Sequence, residues 1–419
     1  MTRSKMLVVA YDCIPNAGSD PGLGWQAAQL AARDHQTWVL TKASNRAAIE
    51  AAQTPPNIEW VYIHLPEKVG PLQTGAKWGD TVHCYFWLRR AMRAASKIHK
   101  EHGLDITQYA SFSAFWMPVP LVRLGVPHIF GPVTGGEWTP EALAPRGFRA
   151  RIDDLIRRTL QELGMRTPNW RRMAESESTV MVAATPVTAN RLRAAGAKNA
   201  VVFRPPFSLD TAQIEQARRY PPSDPDSVRF VMSGRQLHWK GHQLGIEAFA
   251  QVVAARHDAH LDLIGTGPEH DRLVKLVDDL GLRNSVTVHG AMHREQEREH
   301  ISRATALVFP SHRDAGGTLP ILSMAIGTVV IALKTGAVPA TLGDAGVLVD
   351  VWSREQIIAD LAQEMIAIAT DHARREMLIE RGLERVRTQF SLDQAHDHTR
   401  AWTQTVRSAP VVEPAAQSA

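Results

Sequence analysis

Arg229-Phe-Val-Met-Ser233 is a short apolar run, and the loop that leaves it reads Gly234-Arg-Gln-Leu-His-Trp-Lys-Gly-His242. A helical pattern takes over at 242 and runs to 255. Strand, glycine-bearing loop and helix in that order make the first half of a βαβ unit. Glycine lets the chain turn closely, and Arg235 and Lys240 can converge on one anionic group. The N-terminus of the following helix adds its own preference for anions. A merely solvated loop would carry the same two cations, so the chemistry of this segment alone leaves both readings open.

The alternation extends both ways from that point. Downstream, the pattern predicts strands over 260–264, 285–289, 306–309 and 329–332, with helices over 268–281, 294–303 and 319–326. Upstream, it predicts strands over 7–11, 37–41, 58–63, 128–131 and 180–183, with helices over 23–34, 44–52, 80–102 and 147–164. Such alternation is the signature of parallel α/β sheets. The proline-rich stretch from Arg204-Pro-Pro-Phe to Tyr220-Pro-Pro-Ser-Asp-Pro-Asp226, with a polar helix inside it, reads as an interdomain linker. The expected organisation is a first domain over 1–205, a linker over 206–227, a second domain over 228–390, a helix over 391–408 and a disordered tail over 409–419.

A length of 419 residues suits two or three domains. At 44% apolar and 21% charged, the composition excludes disordered, collagenous and coiled-coil chains. Two cysteines, Cys13 and Cys84, exclude a disulfide scaffold and a CxxC site; they leave one buried pair or two reduced core thiols, and the second reading suits a cytoplasmic protein. Residues 1–210 carry 25 Lys and Arg against 17 Asp and Glu, whereas 211–419 carry 22 against 26. A basic front half and an acidic back half point to two jobs, one facing an anionic partner or surface. The opening residues lead into a strand rather than a secretory signal. The charge-free stretch 315–333 has too many glycines for a spanning helix and reads as loop, helix, turn and strand.

A second segment, Phe309-Pro-Ser-His-Arg-Asp314-Ala-Gly-Gly-Thr318-Leu-Pro-Ile-Leu322, follows a later strand. Ligands of doubly wound sheets bind in loops of this kind, at the carboxyl ends of strands. Gly316-Gly317 exposes backbone N–H groups at a helix start, suited to phosphate or sugar oxygens. A tight structural turn would use the same glycines.

Together the two segments resemble the nucleotide-binding domain of the retaining GT-B fold glycosyltransferases of family 4. The runs GR…WKG, Leu263-Ile-Gly-Thr-Gly-Pro-Glu269, His289-Gly290 and PS…D-x-GG…MA-x-GT-x-VI stand in the family's order and spacing. The resemblance is strong over 228–350. It extends more weakly to Gly18-Ser-Asp-Pro-Gly22-Leu-Gly24-Trp25 and Gly131-Pro-Val-Thr-Gly-Gly-Glu137. It implies two Rossmann-like domains facing across a cleft, with a C-terminal helix crossing back onto the first. It also implies transfer, with retention, from a nucleotide-diphosphate sugar to a hydroxyl of a glycan or lipid-linked acceptor, usually in cell-surface polysaccharide assembly. Carried over by position, Arg235 and Lys240 would hold the donor diphosphate, and Asp314 would contact the sugar hydroxyls. Gly22, Gly24, Gly234, Gly267, Gly290, Gly316, Gly317 and Thr318 would line the donor. No cofactor and no metal ion is required, because the two cations replace its charge.

The sequence departs from the family pattern twice. The second acidic position of the E-x7-E motif, eight residues after Asp314, is Leu322, which cannot accept a hydrogen bond from ribose. In the first domain relatives place a His where Asp105-Ile-Thr-Gln108-Tyr109 offers Gln108 and Tyr109. Those two and Glu137 are the acceptor-side candidates; Glu137 reads equally as a residue near a helix start. Leu322 also supports an alternative, a catalytically silent GT-B protein that binds a glycan or a partner enzyme. Asp224-Pro-Asp226 resembles a DxD metal motif but lies in the linker, and the pairs His238/His242 and His396/His398 lack zinc-site spacing, so no metal site is expected.

Two basic stretches mark the first domain. Residues 87–100 hold Arg89, Arg90, Arg93, Lys97 and Lys100 beside Trp87 and Met92; residues 146–172 hold eight arginines with Phe148 and Trp170 interleaved. A solvated helix face would look similar. The functional reading is a peripheral contact with anionic lipid headgroups at the inner face of the plasma membrane. No nucleic-acid motif accompanies the charge.

Overall fold

The computed structural model describes residues 3–65, 77–144, 148–202, 207–224, 226–315 and 317–408. Two compact units divide the chain. The first takes residues within 1–136 and 151–207 and those from 395 onward; the second takes 137–150 and 208–394.

The first unit is built on seven strands: β1 Ser4–Ala10, β2 His35–Lys42, β3 Ile58–Ile63, β4 Ile106–Ser111, β5 His128–Val133, β6 Thr179–Ala183 and β7 Ala200–Val202. Their order is β3-β2-β1-β4-β5-β6-β7, and every pairing is parallel. The second unit holds six: β8 Arg229–Ser233, β9 His260–Ile264, β10 Val286–Gly290, β11 Ala306–Phe309, β12 Val329–Leu333 and β13 Val347–Val349. Their order is β10-β9-β8-β11-β12-β13, again all parallel. In each sheet the order reverses once, between β1 and β4 and between β8 and β11. Such reversals open a crevice at the carboxyl ends of the two strands, because their crossovers leave to opposite faces.

Parallel strands covered on both faces must be apolar nearly throughout. That is why Phe230, Val231 and Met232 of β8, and all of β12, are buried. The helix His242–Ala255 turns Leu244, Ile246, Ala248, Phe249 and Val252 into the same core. The loop–helix–turn–strand reading of 315–333 holds: helix Thr318–Ile326 ends at Gly327, whose φ of 98° closes the turn before β12. Among the described residues no helix is long and apolar enough to cross a membrane. Cys13 and Cys84 are buried and free.

The structure corrects several sequence-based expectations. Helix 44–52 is a 3-10 turn, Ala43–Asn45, followed by a short helix, Arg46–Glu50. Inside the expected linker, helix Thr211–Ala217 is capped by a reciprocal box of Asp210 and Gln213 and belongs to the second unit. The tail 409–419 and Arg204-Pro-Pro of the linker lie outside the described residues, as does Pro225. The described residues 137–144 and 148–150 group with the second unit, where Leu143 joins the core, rather than with the first.

The last helix, Leu392–Ser408, is part of the first unit from residue 395. Ala395, Thr399, Trp402 and Val406 form its buried stripe at helical spacing, and Trp402 and Val406 pack with Met6, Val8 and Ile106. His396 Nε2 reaches Asp34 Oδ2 at 2.9 Å. Trp402→Ala should therefore destabilise the first unit by about 3 kcal/mol, as large-to-small core changes of this size do. Urea unfolding of the full chain measures it; an unchanged midpoint would show that the helix contributes no core.

Candidate functional site

The loop after β8 and the loop after β11 leave the second sheet at its reversal point, side by side. The first climbs through Gly234 to Gln236, makes one 3-10 turn at His238–Lys240, and enters helix His242–Ala255. Gly241 joins turn to helix with φ of 70°, and a Cβ there would stand 1.9 Å from the carbonyl oxygen of Pro310. Only glycine satisfies both constraints. The two loops are thus pressed together backbone on backbone. The N–H of His312 donates to the Trp239 carbonyl at 2.8 Å, and Ser311 Oγ donates to the same oxygen at 3.2 Å.

That register brings Lys240 to Asp314. Lys240 Nζ donates to Asp314 Oδ2 at 2.7 Å, and the Gly317 N–H donates to Oδ1 at 2.9 Å. Both side chains are largely but not wholly covered. Lys240 Nζ also lies 5.3 Å from the centroid of the Phe309 ring. From the other side the Ala337 N–H donates to the Asp314 carbonyl at 2.7 Å, and Thr335 Oγ1 donates to the Ser311 carbonyl at 2.6 Å. The Asp314 loop is therefore clamped by two neighbouring segments.

Arg235 is exposed on the same loop and has no ion pair among the described residues. A guanidinium so placed keeps its five donors for a ligand. Gly234 is open around its absent side chain, and at Gly290, at the end of β10, a Cβ would make only an ordinary contact with the Thr266 methyl at 3.9 Å. Gly267 plays another part: a Cβ there would stand 2.4 Å from the Gln236 carbonyl, so it seats the β9 loop against the β8 loop. Gly317, with φ of 59°, caps helix Thr318–Ile326 beside Thr341, and Thr318 begins that helix. Gly316 lies outside the described residues. Leu322 sits half-buried on the same helix.

The acceptor-side candidates change most. Tyr109 is fully buried in the centre of the first sheet, stacked on Phe130, with its hydroxyl donating to the Phe112 carbonyl at 3.1 Å. Gln108 is buried on the opposite face and donates to the Gly131 carbonyl at 3.0 Å. Both belong to a central strand covered on two faces, so neither reaches a substrate surface. Glu137 is buried and groups with the second unit. Gly22 and Gly24 are not in a loop: helix Ser19–Asp34 begins before them. Cβ atoms at those positions would meet the carbonyls of Ala17 and Asp12 at 2.0 Å each, so they pack the preceding loop onto the helix.

The first unit has a polar group at its own reversal point that sequence reading missed. Lys42 Nζ pairs with Asp12 Oδ1 at 2.5 Å and lies 4.4 Å from the centroid of the Tyr11 ring. The Tyr11 hydroxyl and His83 Nδ1 are 2.6 Å apart, while Asp20 Oδ1 accepts from both the N–H and the hydroxyl of Ser113. A lysine closing an apolar strand was the available signal. In the second unit the missed residue is Gln236, fully buried, its Oε1 2.8 Å from His270 Nδ1.

Two buried histidines flank the Lys240 site. Burial, with His238 and Arg313 nearby, pushes the His312 imidazole down to about 3; burial and Lys240 push His242 down to about 4. Both are neutral at pH 7. A depressed folded value means that the unfolded chain binds protons first. The stability these rings contribute is therefore complete above about pH 6.5 and is lost as pH falls from there towards 3. His312→Gln should flatten that loss by up to about 1.4 kcal/mol per pH unit. Unfolding free energies measured between pH 4 and 7 check it, and equal slopes in both proteins would refute the assignment.

Residues 213–385 match the family model of the glycosyl transferases group 1. A D-inositol 3-phosphate glycosyltransferase of Segniliparus rotundus is 29% identical over 34% of this chain and 33% of its own length. The lipopolysaccharide core biosynthesis glycosyltransferase LpsE of Rhizobium meliloti is 29% identical over 55% and 64%. The chain thus spans a third and just under two thirds of these two relatives. Among solved structures, the sucrose-phosphate synthase of Thermosynechococcus elongatus superposes with a TM-score of 0.63 at 18% identity, covering 96% of this chain and 99% of that one. The chain therefore has the two-domain α/β GT-B fold, and its residues 213–385 match the glycosyl transferases group 1.

Proposed function

We propose that this chain is a retaining glycosyltransferase that uses a nucleotide-diphosphate sugar. The observation that carries the reading is the Lys240–Asp314 pair at the reversal point of the second sheet, with the Arg235 guanidinium, which has no ion pair among the described residues, on the same loop. Arg235 and Lys240 hold the diphosphate and offset the charge that grows on it as the bond to the sugar breaks. Asp314 fixes the Lys240 ammonium and offers its carboxylate to sugar hydroxyls. The sugar–phosphate bond breaks, the acceptor oxygen bonds to the same carbon on the same face, and its proton passes to the departing phosphate oxygen. No covalent nucleophile is needed; orientation in a water-poor site does the work. In this reading the transfer needs no metal ion, because the two cations supply the positive charge that one would otherwise bring.

For the acceptor we propose a glycan or lipid-linked sugar of cell-surface polysaccharide assembly, handled on the cytoplasmic side of a membrane. The lipopolysaccharide core relative supports the setting. Support for membrane contact comes from helix Phe148–Met165, whose Leu155 and Leu163 are 64% and 58% exposed among arginines. Tyr85 and Phe86 are exposed on helix Lys77–His102, and a cavity of about 590 Å³ nearby is lined by Arg89, Arg93 and Arg123. Exposed apolar groups beside cationic side chains suit an anionic lipid surface. Trp87 and Trp170 take no part in such contact, being buried in the core.

A second reading, a catalytically silent glycan-binding protein, rests on Leu322. A thermal-shift screen against UDP-, GDP- and ADP-sugars separates the two, because a ligand at 100 times its dissociation constant adds about 2.7 kcal/mol. No shift with any of them would favour the silent protein. With the best donor, Arg235→Ala should cut turnover by about 100-fold or more without loss of fold, the scale of one lost transition-state contact. Turnover near wild type would remove that contact from the mechanism.

Leu322→Glu places a carboxylate on helix Thr318–Ile326, eight residues from Asp314. A bidentate contact to ribose hydroxyls of about 1.5–3 kcal/mol should tighten donor binding roughly tenfold or more. Calorimetric titration decides it; unchanged or weaker binding would mean that Leu322 belongs to a repacked, apolar pocket.

A further inference from the structure

Asp262 sits in the middle of β9 with its side chain 2% exposed, and three imidazoles stand around its carboxylate. His289, next to the end of β10, brings Nε2 to 2.7 Å from Oδ1. His300, on helix Arg294–Ser302, places Nδ1 3.4 Å from Oδ2. His260, two residues earlier on the same face of β9, has Nε2 3.9 Å from Oδ1 and 2.9 Å from the Thr287 hydroxyl. One ligand atom each from Asp262, His289 and His300 all lie within 4.8 Å of one another. The fold makes this meeting: β9 and β10 are neighbours at one edge of the sheet, and the helix after β10 returns over them.

Arg229 Nη1 donates to Asp262 Oδ2 at 2.9 Å. That pair already answers the charge of a buried carboxylate, so neutralisation does not account for three further imidazoles. We propose that Asp262, His289 and His300 bind one divalent transition-metal ion of the zinc class. One carboxylate and two imidazoles are the borderline-soft donors such ions prefer. Arg229 then serves as the outer hydrogen bond that orients the ligating carboxylate, leaving Oδ1 for the ion. With the guanidinium counted, the ligand set carries no net charge, as in sites of three histidines. The His289 and His300 side chains are 22% and 30% exposed, which gives an ion a path in and lets both rings turn towards it.

The ion would tie β9, β10 and the following helix together, with no part in the transfer proposed above. Its test is therefore independent of that proposal. The full-length chain, stripped with a chelator, is titrated with zinc chloride by calorimetry and with cobalt chloride by visible absorption. The expected result is one site with a dissociation constant of about 1 µM or tighter, a tetrahedral cobalt spectrum, and a rise in melting temperature with zinc. His300→Ala, on a half-exposed helical position that should leave the fold intact, should weaken zinc by about 30-fold or more and abolish the rise. His257→Ala, an exposed histidine outside the cluster, should bind as the wild type does. Binding weaker than about 100 µM, or equal affinity in the wild type and His300→Ala, overturns the proposal; the second outcome means an adventitious ion only.

Discussion

The contact on which the second unit's site depends is the seat of Gly241 against the carbonyl of Pro310. Two backbones cannot approach that closely across any side chain, so the glycine decides how near the β8 loop comes to the β11 loop. Everything polar there follows from that distance. Trp239 receives its two hydrogen bonds from Ser311 and His312, Lys240 meets Asp314, and the carboxylate of Asp314 accepts the N–H of Gly317, the residue that caps helix Thr318–Ile326. The β9 loop joins by the same device, with Gly265 and Gly267 seated on the carbonyls of Gly234 and Gln236.

The consequence is a site whose charged groups are fixed before any ligand arrives. Lys240 is held by Asp314, Asp314 by Gly317 and its backbone by Ala337, so little ordering entropy remains to be lost on binding. Arg235 is the contrast, an exposed guanidinium with its donors free among the described residues. One cation of the site is thus preorganised and the other adaptable.

Much of the second unit was legible in the sequence. Strands at 229–233, 260–264 and 306–309 and the helix at 242–255 fall where the apolar periodicity places them. The first unit was harder. Its loops are longer, and β4 has polar Thr107, Gln108 and Ser111 among its buried residues, which masks the strand pattern. Gln108 and Tyr109 were acceptor-side candidates by family position, which carries no information on burial, and Trp87 and Trp170 turn into the core although arginines surround them in the sequence.

The sequence by itself determined the alternating parallel architecture, the two glycine-bearing loops and the pair of cations, because these depend on local periodicity and on residues close along the chain. Tertiary structure alone decided what meets across distance. Lys240 and Asp314 are 74 positions apart, and Asp262 finds His289 and His300 only because β9, β10 and the next helix share a sheet edge. It also decided which polar residues are buried, since burial depends on what the other elements cover. No spacing along the chain encodes these pairings; the strand order does.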